Sequence, residues 1–464
     1  MKANAAILSF AIGLLLAATH ANAAWTYVGD DSKGSLVHDN PEQARKMTVS
    51  VSRSGKSLTI THINVAPFEP LASLSFAEPV ADGYVITAIG ETAFRTDKTL
   101  TKLKLTFGNG LTRIDRWAFA FCAGLTELEL PDSVTDIGQQ AFFKCSGLTE
   151  LTIPAGVTNI EWLAFARCSG LTSVTIPDHA TSIGDGVFAG CTALTNISVS
   201  AAHPTCKSID GVLFDKTATT LNTYPAGRTG AYAIPSSVTR IGMSAFNTCG
   251  LTDVTIPDSV THISSAAFAE SPRLTNISVS ATHPTFKSVD GVLFDKAGEM
   301  LHAYPAGKTG AYTIPATVTR IDDAFVGCFN LTRLTIPATV TEIISLAFNN
   351  CSGLEELTIP DNVTSIGSGA FKDCSGLTKL TVGSGVTNIA MAAFFGCRAL
   401  ASVTYLGPCT ATPAPAFLHD RSPAVTSYVQ RAHAASWTSQ LDSGSLADGT
   451  AVWGGRPIRF AVEP

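Results

Sequence analysis

Cysteine and histidine are the side chains of this chain whose types and spacing could do chemistry. Nine of its eleven cysteines recur at one repeating position: Cys122, Cys145, Cys168, Cys191, Cys249, Cys328, Cys351, Cys374 and Cys397. Two readings fit such a row. One is metal or disulfide chemistry, and the other is a ladder of small, buried, apolar side chains. A metal cluster needs ligands that converge on one point, whereas a regular interval spreads thiols along a line. Neighbouring rungs would place Cα atoms ~4.8 Å apart, inside the disulfide window, but parallel Cβ vectors make the S–S torsion awkward. Free thiols in a ladder are therefore expected. Cys206 aligns with Phe286 of a duplicated segment and reads as core. Cys409 lies beyond the regular interval and is the thiol expected to be exposed.

His203 and His283 occupy the same place in a duplicated His-Pro-Thr segment. A ligand role for them lacks a carboxylate or cysteine at metal-ligand spacing. Asp210 and Asp290 each precede a glycine and read as turn formers. No glycine-rich phosphate loop, nucleophile elbow or His-Glu-x-x-His stands in the chain. No catalytic residue, cofactor-binding residue or metal ligand is assigned, and an enzyme is not expected.

The interval that spaces the cysteines is a repeat. Leu125, Leu148, Leu171 and Leu194 are 23 residues apart, and so are Leu331, Leu354, Leu377 and Leu400. Each unit reads Leu-Thr-x-Leu-Thr-Ile-Pro, then Val-Thr-x-Ile-Gly, then Ala-Phe, then Cys. Leu148, Leu151 and Ile153 fit a short strand with inward apolar residues, which Pro154 ends because it lacks the ladder N–H. Val157 and Ile160 make a second buried stretch, and Ala164-Phe165 a compact turn. So short a unit cannot hide its own apolar face, so neighbours must stack to share a core. The turn phenylalanines, from Phe94, Phe119, Phe142, Phe165 and Phe188 to Phe348, Phe371 and Phe394, should form a column.

A larger duplication interrupts the count. Leu194 to Leu251 and Leu274 to Leu331 each span 57 residues, which is 23 plus 34. The copies share Asp-Gly-Val-Leu-Phe-Asp-Lys, at 210–216 and 290–296. Apolar runs around a small polar turn predict a hairpin-like extra rung.

Composition agrees with an array. Apolar residues make up 45% and charged residues 15%, with mean hydropathy +0.24. A chain so poor in charge must bury apolar side chains along most of its length. The formal net charge is −6, with no Lys/Arg run or basic patch, which argues against a nucleic-acid partner. Lys2, the apolar stretch from Ala5 to Ala18 and Ala21-Asn22-Ala23 read as a secretory signal with its cleavage site. No later segment is long and apolar enough to span a bilayer as a helix. The expected organisation is a signal peptide at 1–23, an N-terminal β cap at 24–84 and a solenoid at 85–404. Two 34-residue hairpin inserts fall at about 200–233 and 280–313, and a C-terminal cap at 405–464.

The repeat Leu-Thr-x-Leu-Thr-Ile-Pro-x-x-Val-Thr-x-Ile-Gly-x-x-Ala-Phe-x-x-Cys closely resembles the BspA-like leucine-rich repeat of bacterial surface proteins. The resemblance covers about residues 85 to 404. It implies a right-handed, mainly β horseshoe with short helical turns and a parallel sheet on its concave face. It also implies adhesion to host proteins, matrix or other cells. On such strands the residues flanking the inward Leu and Ile point outward. One outward column is threonine, including Thr152, Thr175, Thr358 and Thr381, as strand propensity and cross-strand packing would favour. The other varies from rung to rung, as binding residues should. It offers Glu127, Glu150, Asp253, Arg333, Glu356 and Lys379 as candidate ligand-binding residues. The expected function is a secreted or cell-surface protein that binds a protein or glycan ligand, such as host matrix or another cell surface, without a cofactor. The alternative is a non-adhesive structural or periplasmic envelope protein.

Overall fold

A computed structural model of the chain describes residues 25–38, 47–65, 73–74, 80–96, 102–104, 110–408, 426–430, 433–438, 452–453 and 456–460. The segment expected to be a signal sequence and Cys409 lie outside them. The described residues form a β-solenoid with parallel sheets and almost no helix. The chain divides into two compact units, residues 1–218 with 222–227, and residues 219–221 with 228–464.

In the first unit, Trp25–Gly29, Lys33–His38, Met47–Ser54 and Ser57–Val65 pair antiparallel in chain order. Ser57–Val65 then pairs parallel with Val85–Ile89, and the repeat takes over. Each rung contributes two short strands to two ladders. In one, Glu150–Thr152, Ser173–Ile176 and Asn196–Val199 stack in parallel, with Leu151, Val174 and Ile197 in register. In the other, Ile114, Ile137, Ile160 and Ile183 align. The 23-residue interval is what puts like on like. Leu125, Leu148, Leu171 and Leu194 are buried, as are Val134 and Val157.

The second unit repeats the plan. Gly310–Thr313, Leu331–Thr335, Glu356–Ile359, Lys379–Val382 and Ser402–Tyr405 form one parallel ladder. Thr426–Val429 and Arg456–Phe460 extend it in the same direction. The helix Ala434–Thr438 brings Trp437 onto Tyr405, with ring centroids 4.9 Å apart. The Trp437 indole N–H donates to the Gly407 carbonyl at 3.1 Å.

Each rung turns at Ala-Phe without a helix. Backbone N–H groups there alternate between two jobs. Ala141 and Phe143 donate back to Gly138 and Gln140 within the rung, while Phe142 and Lys144 donate forward to Ala164 and Ala166 of the next. This alternation needs residues of positive φ on either side of the Ala-Phe pair. Leu163 (φ 56) and Arg167 (φ 61) occupy these positions in one rung, and Gly186 (φ 61) and Gly190 (φ 72) in the next. A continuous helix would spend every N–H locally and leave the rungs unjoined at this corner, which is why helical turns give way to this form. L-residues pay ~1–2 kcal/mol for the left-handed conformation, and β-branched ones suit it worst. Exposed Thr96 sits at φ 69. Replacing it with glycine is expected to stabilise the first unit by up to ~1 kcal/mol, after the glycine's extra unfolded-state entropy is deducted. An unchanged or lower urea midpoint for Thr96→Gly would count against strain at this corner.

The phenylalanine column is present in segments. Phe94, Phe119, Phe142, Phe165 and Phe188 stack in the first unit with centroids 4.7 to 6.0 Å apart. In the second unit Phe246 stacks on Phe268, and Phe325, Phe348, Phe371 and Phe394 form a further run. Tyr304, from the second insert, stacks on Phe325 at 5.0 Å and extends that run.

The inserts are hairpins. Phe286–Val289 pairs antiparallel with Val292–Asp295, and Cys206–Ile209 with Val212–Asp215. Asp290 (φ 50) and Gly291 (φ 77) both take the left-handed conformation, as a two-residue turn matched to strand twist requires. Met300–Ala303 then pairs parallel with Arg320–Ile321 and restores the rung ladder. A Cβ added at Gly291 would lie 2.8 Å from Asn276 Oδ1 and 3.0 Å from the Thr275 carbonyl oxygen. Gly291→Ala should therefore cost ~1–2 kcal/mol, the left-handed penalty plus a local shift. A melting temperature equal to wild type would refute the turn assignment.

Candidate functional site

Strand alternation decides which side chains reach solvent. In Glu356–Ile359 the residues alternate exposed and buried, so Leu357 and Ile359 enter the core while Glu356 and Thr358 face out. The register then sets outward neighbours side by side. Arg333 pairs with Glu356, Glu356 with Lys379, and Lys379 with Ser402. Three of the six candidate residues thus stand on three consecutive hydrogen-bonded rungs, in the order positive, negative, positive. They line a trough of ≈ 690 Å³ together with Thr335, Thr358 and Thr381 of the threonine column and with Asp361 and Asn362. Arg333, Glu356 and Lys379 are exposed. No ion pair among the described residues ties one to another.

The other candidates are distributed. Glu150 is exposed opposite Ser173. Asp253 is half-buried opposite Asn276. Glu127 is exposed on a strand whose register sets it against Lys102. Each lies on an outward position, but the rungs beside them do not assemble the alternating charges of the Arg333 ladder.

The cysteines are core. All those among the described residues are buried and free. Each repeat thiol has a specific partner. Cys145, Cys168 and Cys191 Sγ donate to the carbonyls of Phe119, Phe142 and Phe165 at 3.1 to 3.2 Å. Cys351, Cys374 and Cys397 do the same toward Phe325, Phe348 and Phe371. The thiol adds a second donor, from the next rung, to a turn carbonyl that already accepts the N–H of the cysteine three residues on in its own rung, which alanine could not do. Ser271 stands at this position in its rung, and its hydroxyl donates to the Phe246 carbonyl at 2.7 Å. Burial in this apolar row pushes Cys145, Cys168, Cys351 and Cys374 well above the usual thiol value and Cys191 up to about 12. Such thiols are poor nucleophiles.

The duplicated histidines are buried and committed to backbone. His283 Nδ1 accepts from the Thr285 and Phe286 N–H groups, and its Nε2 lies 3.1 Å from the Pro257 carbonyl oxygen. His203 Nδ1 accepts from Thr205 and Cys206 in the same way. Cys206, three residues on, brings its Sγ to 3.3 Å from His203 Nδ1, a contact not expected from the sequence. That nitrogen is already an acceptor for two backbone donors, so the pair is a packed turn. Among the described residues no group of three or more His, Cys, Asp or Glu could hold a metal ion.

Two ladders, a turn corner that joins rungs and a thiol at one fixed place together define the repeat type. The BspA-type leucine-rich repeat signature matches residues 86–221, 229–297 and 304–422 in six copies. The chain belongs to the BspA-type leucine-rich repeat family. A search of curated proteins gives no match. Among solved structures it is similar to the pneumococcal vaccine antigen PcpA, at 18% identity and TM-score 0.42, over 94% of this chain and 100% of that one. It is also similar to a leucine-rich cell surface protein of Faecalibacterium prausnitzii, at 24% identity and TM-score 0.37, over 83% and 96%. A leucine-rich repeat protein of Bacteroides ovatus matches at 21% identity and TM-score 0.34, over 82% and 97%. At such identities and scores none of these bears on what this chain binds. Leucine-rich repeat proteins as a class bind other proteins.

Two features of this BspA-type chain escape a reading of the sequence. The threonines after the Leu and the Val have a fixed task. Thr135 and Thr158 hydroxyls donate to the carbonyls of Thr112 and Thr135 one rung back, and Thr172 and Thr195 act likewise. Their signal was available, since the motif keeps threonine at these positions. The second feature is basic. No Lys/Arg run exists in the sequence, yet the turn corner of the first unit gathers Arg95, Arg116 and Lys144 around Trp117, Phe121 and Phe143. The three cations sit more than 20 positions apart in three rungs, so only alignment of the rungs by turn position would have revealed them.

Proposed function

We propose that this chain is an exported protein of the cell surface or its surroundings that binds a protein or glycan ligand on its strand face. The observation that carries the reading is the Arg333–Glu356–Lys379 row, three uncommitted charges in register over a threonine-lined trough. Rigid strands hold such residues at fixed spacing, so little entropy is lost when a partner pairs with them. The alternating sign selects a partner with the opposite alternation and repels a uniformly charged one. The Cys206–His203 contact does not support catalysis, since both residues are buried and His203 Nδ1 already accepts two backbone N–H groups.

The test is a binding panel of matrix proteins and glycans with wild type and an Arg333→Glu/Lys379→Glu double variant. A partner that binds wild type is expected to lose affinity at least ~10-fold with the variant, through two reversed contacts. Unfolding midpoints should agree within ~0.5 kcal/mol, because both sites are exposed. A panel ligand that binds both proteins equally would remove the row from the reading. Protease treatment of intact cells separates this function from the envelope alternative. Loss of the band with periplasmic controls intact supports the surface, and a band lost only after lysis supports a periplasmic structural role.

A further inference from the structure

The turn corner of the first unit carries a second surface of different chemistry. The Arg116 guanidinium lies 3.8 Å from the Trp117 ring centroid, and the Arg95 guanidinium lies 5.0 Å from it. Lys144 Nζ is 5.4 Å from the Phe121 ring and 5.6 Å from Phe143. Phe121 and Phe143 meet edge to face at 5.4 Å. The Trp117 indole N–H donates to Gln140 Oε1 at 2.7 Å, which fixes the ring. Trp162, one rung further, is 40% exposed. Arg95, Arg116 and Lys144 are exposed, and none is ion-paired among the described residues.

We propose that this corner binds an extended acidic glycan, a polysaccharide bearing carboxylate or sulfate groups. Three arguments converge. First, three cations held together on a chain of net charge −6 mark a local preference for anions. Second, the Trp117 ring holds the Arg95 and Arg116 guanidinium groups beside it by cation–π attraction. Their N–H edges stay free for the two-pronged contact that carboxylate and sulfate accept. Third, the cations come one to a rung. The rungs are spaced as their core rings are, 4.7 Å for Phe94–Phe119 and 5.2 Å for Phe119–Phe142. A linear polyanion along the stack therefore meets a cation at each step, and Trp162 offers an apolar face to the C–H side of a sugar ring. Single-stranded nucleic acid is the less suited polyanion. It binds by stacking bases on open aromatic faces, and Trp117 already carries a guanidinium.

The experiment measures binding of the signal-free chain to heparin (sulfated) and polygalacturonate (carboxylated). A dT oligonucleotide and polyglutamate run as competing classes. An Arg95→Ser/Arg116→Ser/Lys144→Ser variant is compared with a control, Arg240→Ser/Arg273→Ser/Arg398→Ser, which removes the same charge from exposed positions of the second unit. Wild type should bind at least one polysaccharide, and the two arms show which anion is preferred. The corner variant should bind about 10-fold more weakly with a shallower salt dependence, while the control variant stays within about twofold. Should the corner variant fail to fold by circular dichroism, Arg116→Gln alone is expected to weaken binding about threefold. No binding by wild type would overturn the proposal, and so would equal loss in both triple variants. Tighter binding of dT or polyglutamate than of either polysaccharide would also overturn it. Loss confined to the control variant would overturn it as well.

Discussion

Phe165→Ala is expected to destabilise the first unit by ~3–5 kcal/mol, the range for removing a fully buried aromatic ring. Phe165 is wholly buried between Phe142 at 5.2 Å and Phe188 at 6.0 Å, with its ring nearly parallel to both. The lost volume cannot be closed by the rungs moving together. Phe142 N–H is bonded to the Ala164 carbonyl at 2.8 Å and Phe165 N–H to that of Val187 at 3.0 Å, so the backbone on both sides is pinned. A stacked array also couples each rung chiefly to its neighbours. One missing ring therefore weakens two interfaces at once, and the unfolding transition should broaden as well as shift. Urea unfolding followed by circular dichroism reads both quantities. Phe165→Leu, which keeps most of the volume, should recover at least half the loss. A Phe165→Ala protein that unfolds at the wild-type midpoint would show that the column does not carry the stability assigned to it.

The second large effect is a loss of stability at alkaline pH. Cys145, Cys168 and Cys191 are buried thiols held above the ordinary value of 9.0, with Cys191 up to about 12. Burial in the apolar row is the leading cause for all three. Unfolded, these thiols ionise near 9, whereas folded they stay protonated. Their contribution is complete below pH 9 and is lost as pH climbs from there toward the raised folded values. At pH 10, one unit above the unfolded value, each thiol that stays protonated when folded costs on the order of 1 kcal/mol, so the three together remove a few kcal/mol from the first unit. Lysines and tyrosines titrate in the same range, so the informative quantity is a difference. A Cys145→Ser/Cys168→Ser/Cys191→Ser variant keeps the hydroxyl donor that Ser271 already provides at this position. Under reducing conditions the wild-type urea midpoint should fall more steeply than the variant's between pH 8 and pH 10.5. Parallel curves would mean that the thiols reach water in the native state.

Much of this was legible because the repeat repeats. A constant interval of 23 residues makes every inward column identify itself, so Leu148, Ile160, Phe165 and Cys168 could be placed in the core from their recurrence. The same regularity exposed the outward columns, because strand alternation leaves no choice once the inward residues are known. The Asp-Gly pairs likewise announced the hairpin turns that Asp290 and Gly291 make. What each polar atom would touch was not legible. The motif keeps threonine after its valine, but only the stacked backbone shows the Thr158 hydroxyl seated on the Thr135 carbonyl. Cysteine reads as a small apolar residue, and only the turn geometry supplies the Phe142 carbonyl that Cys168 answers.

Local sequence by itself determined the rung, its two short strands, its turn and the interval that forces like residues into columns. The physical reason is that a unit too short to bury its own apolar face has one remedy, which is to stack on a copy of itself. Tertiary structure decided what the variable residues build together. Arg333, Glu356 and Lys379 are separated by a full repeat, and Arg95, Arg116 and Lys144 come from three different rungs. Charge at an exposed position is unconstrained by the core, so no periodic signal marks it. It acquires meaning only when the ladder hydrogen bonds set one rung at fixed register against the next.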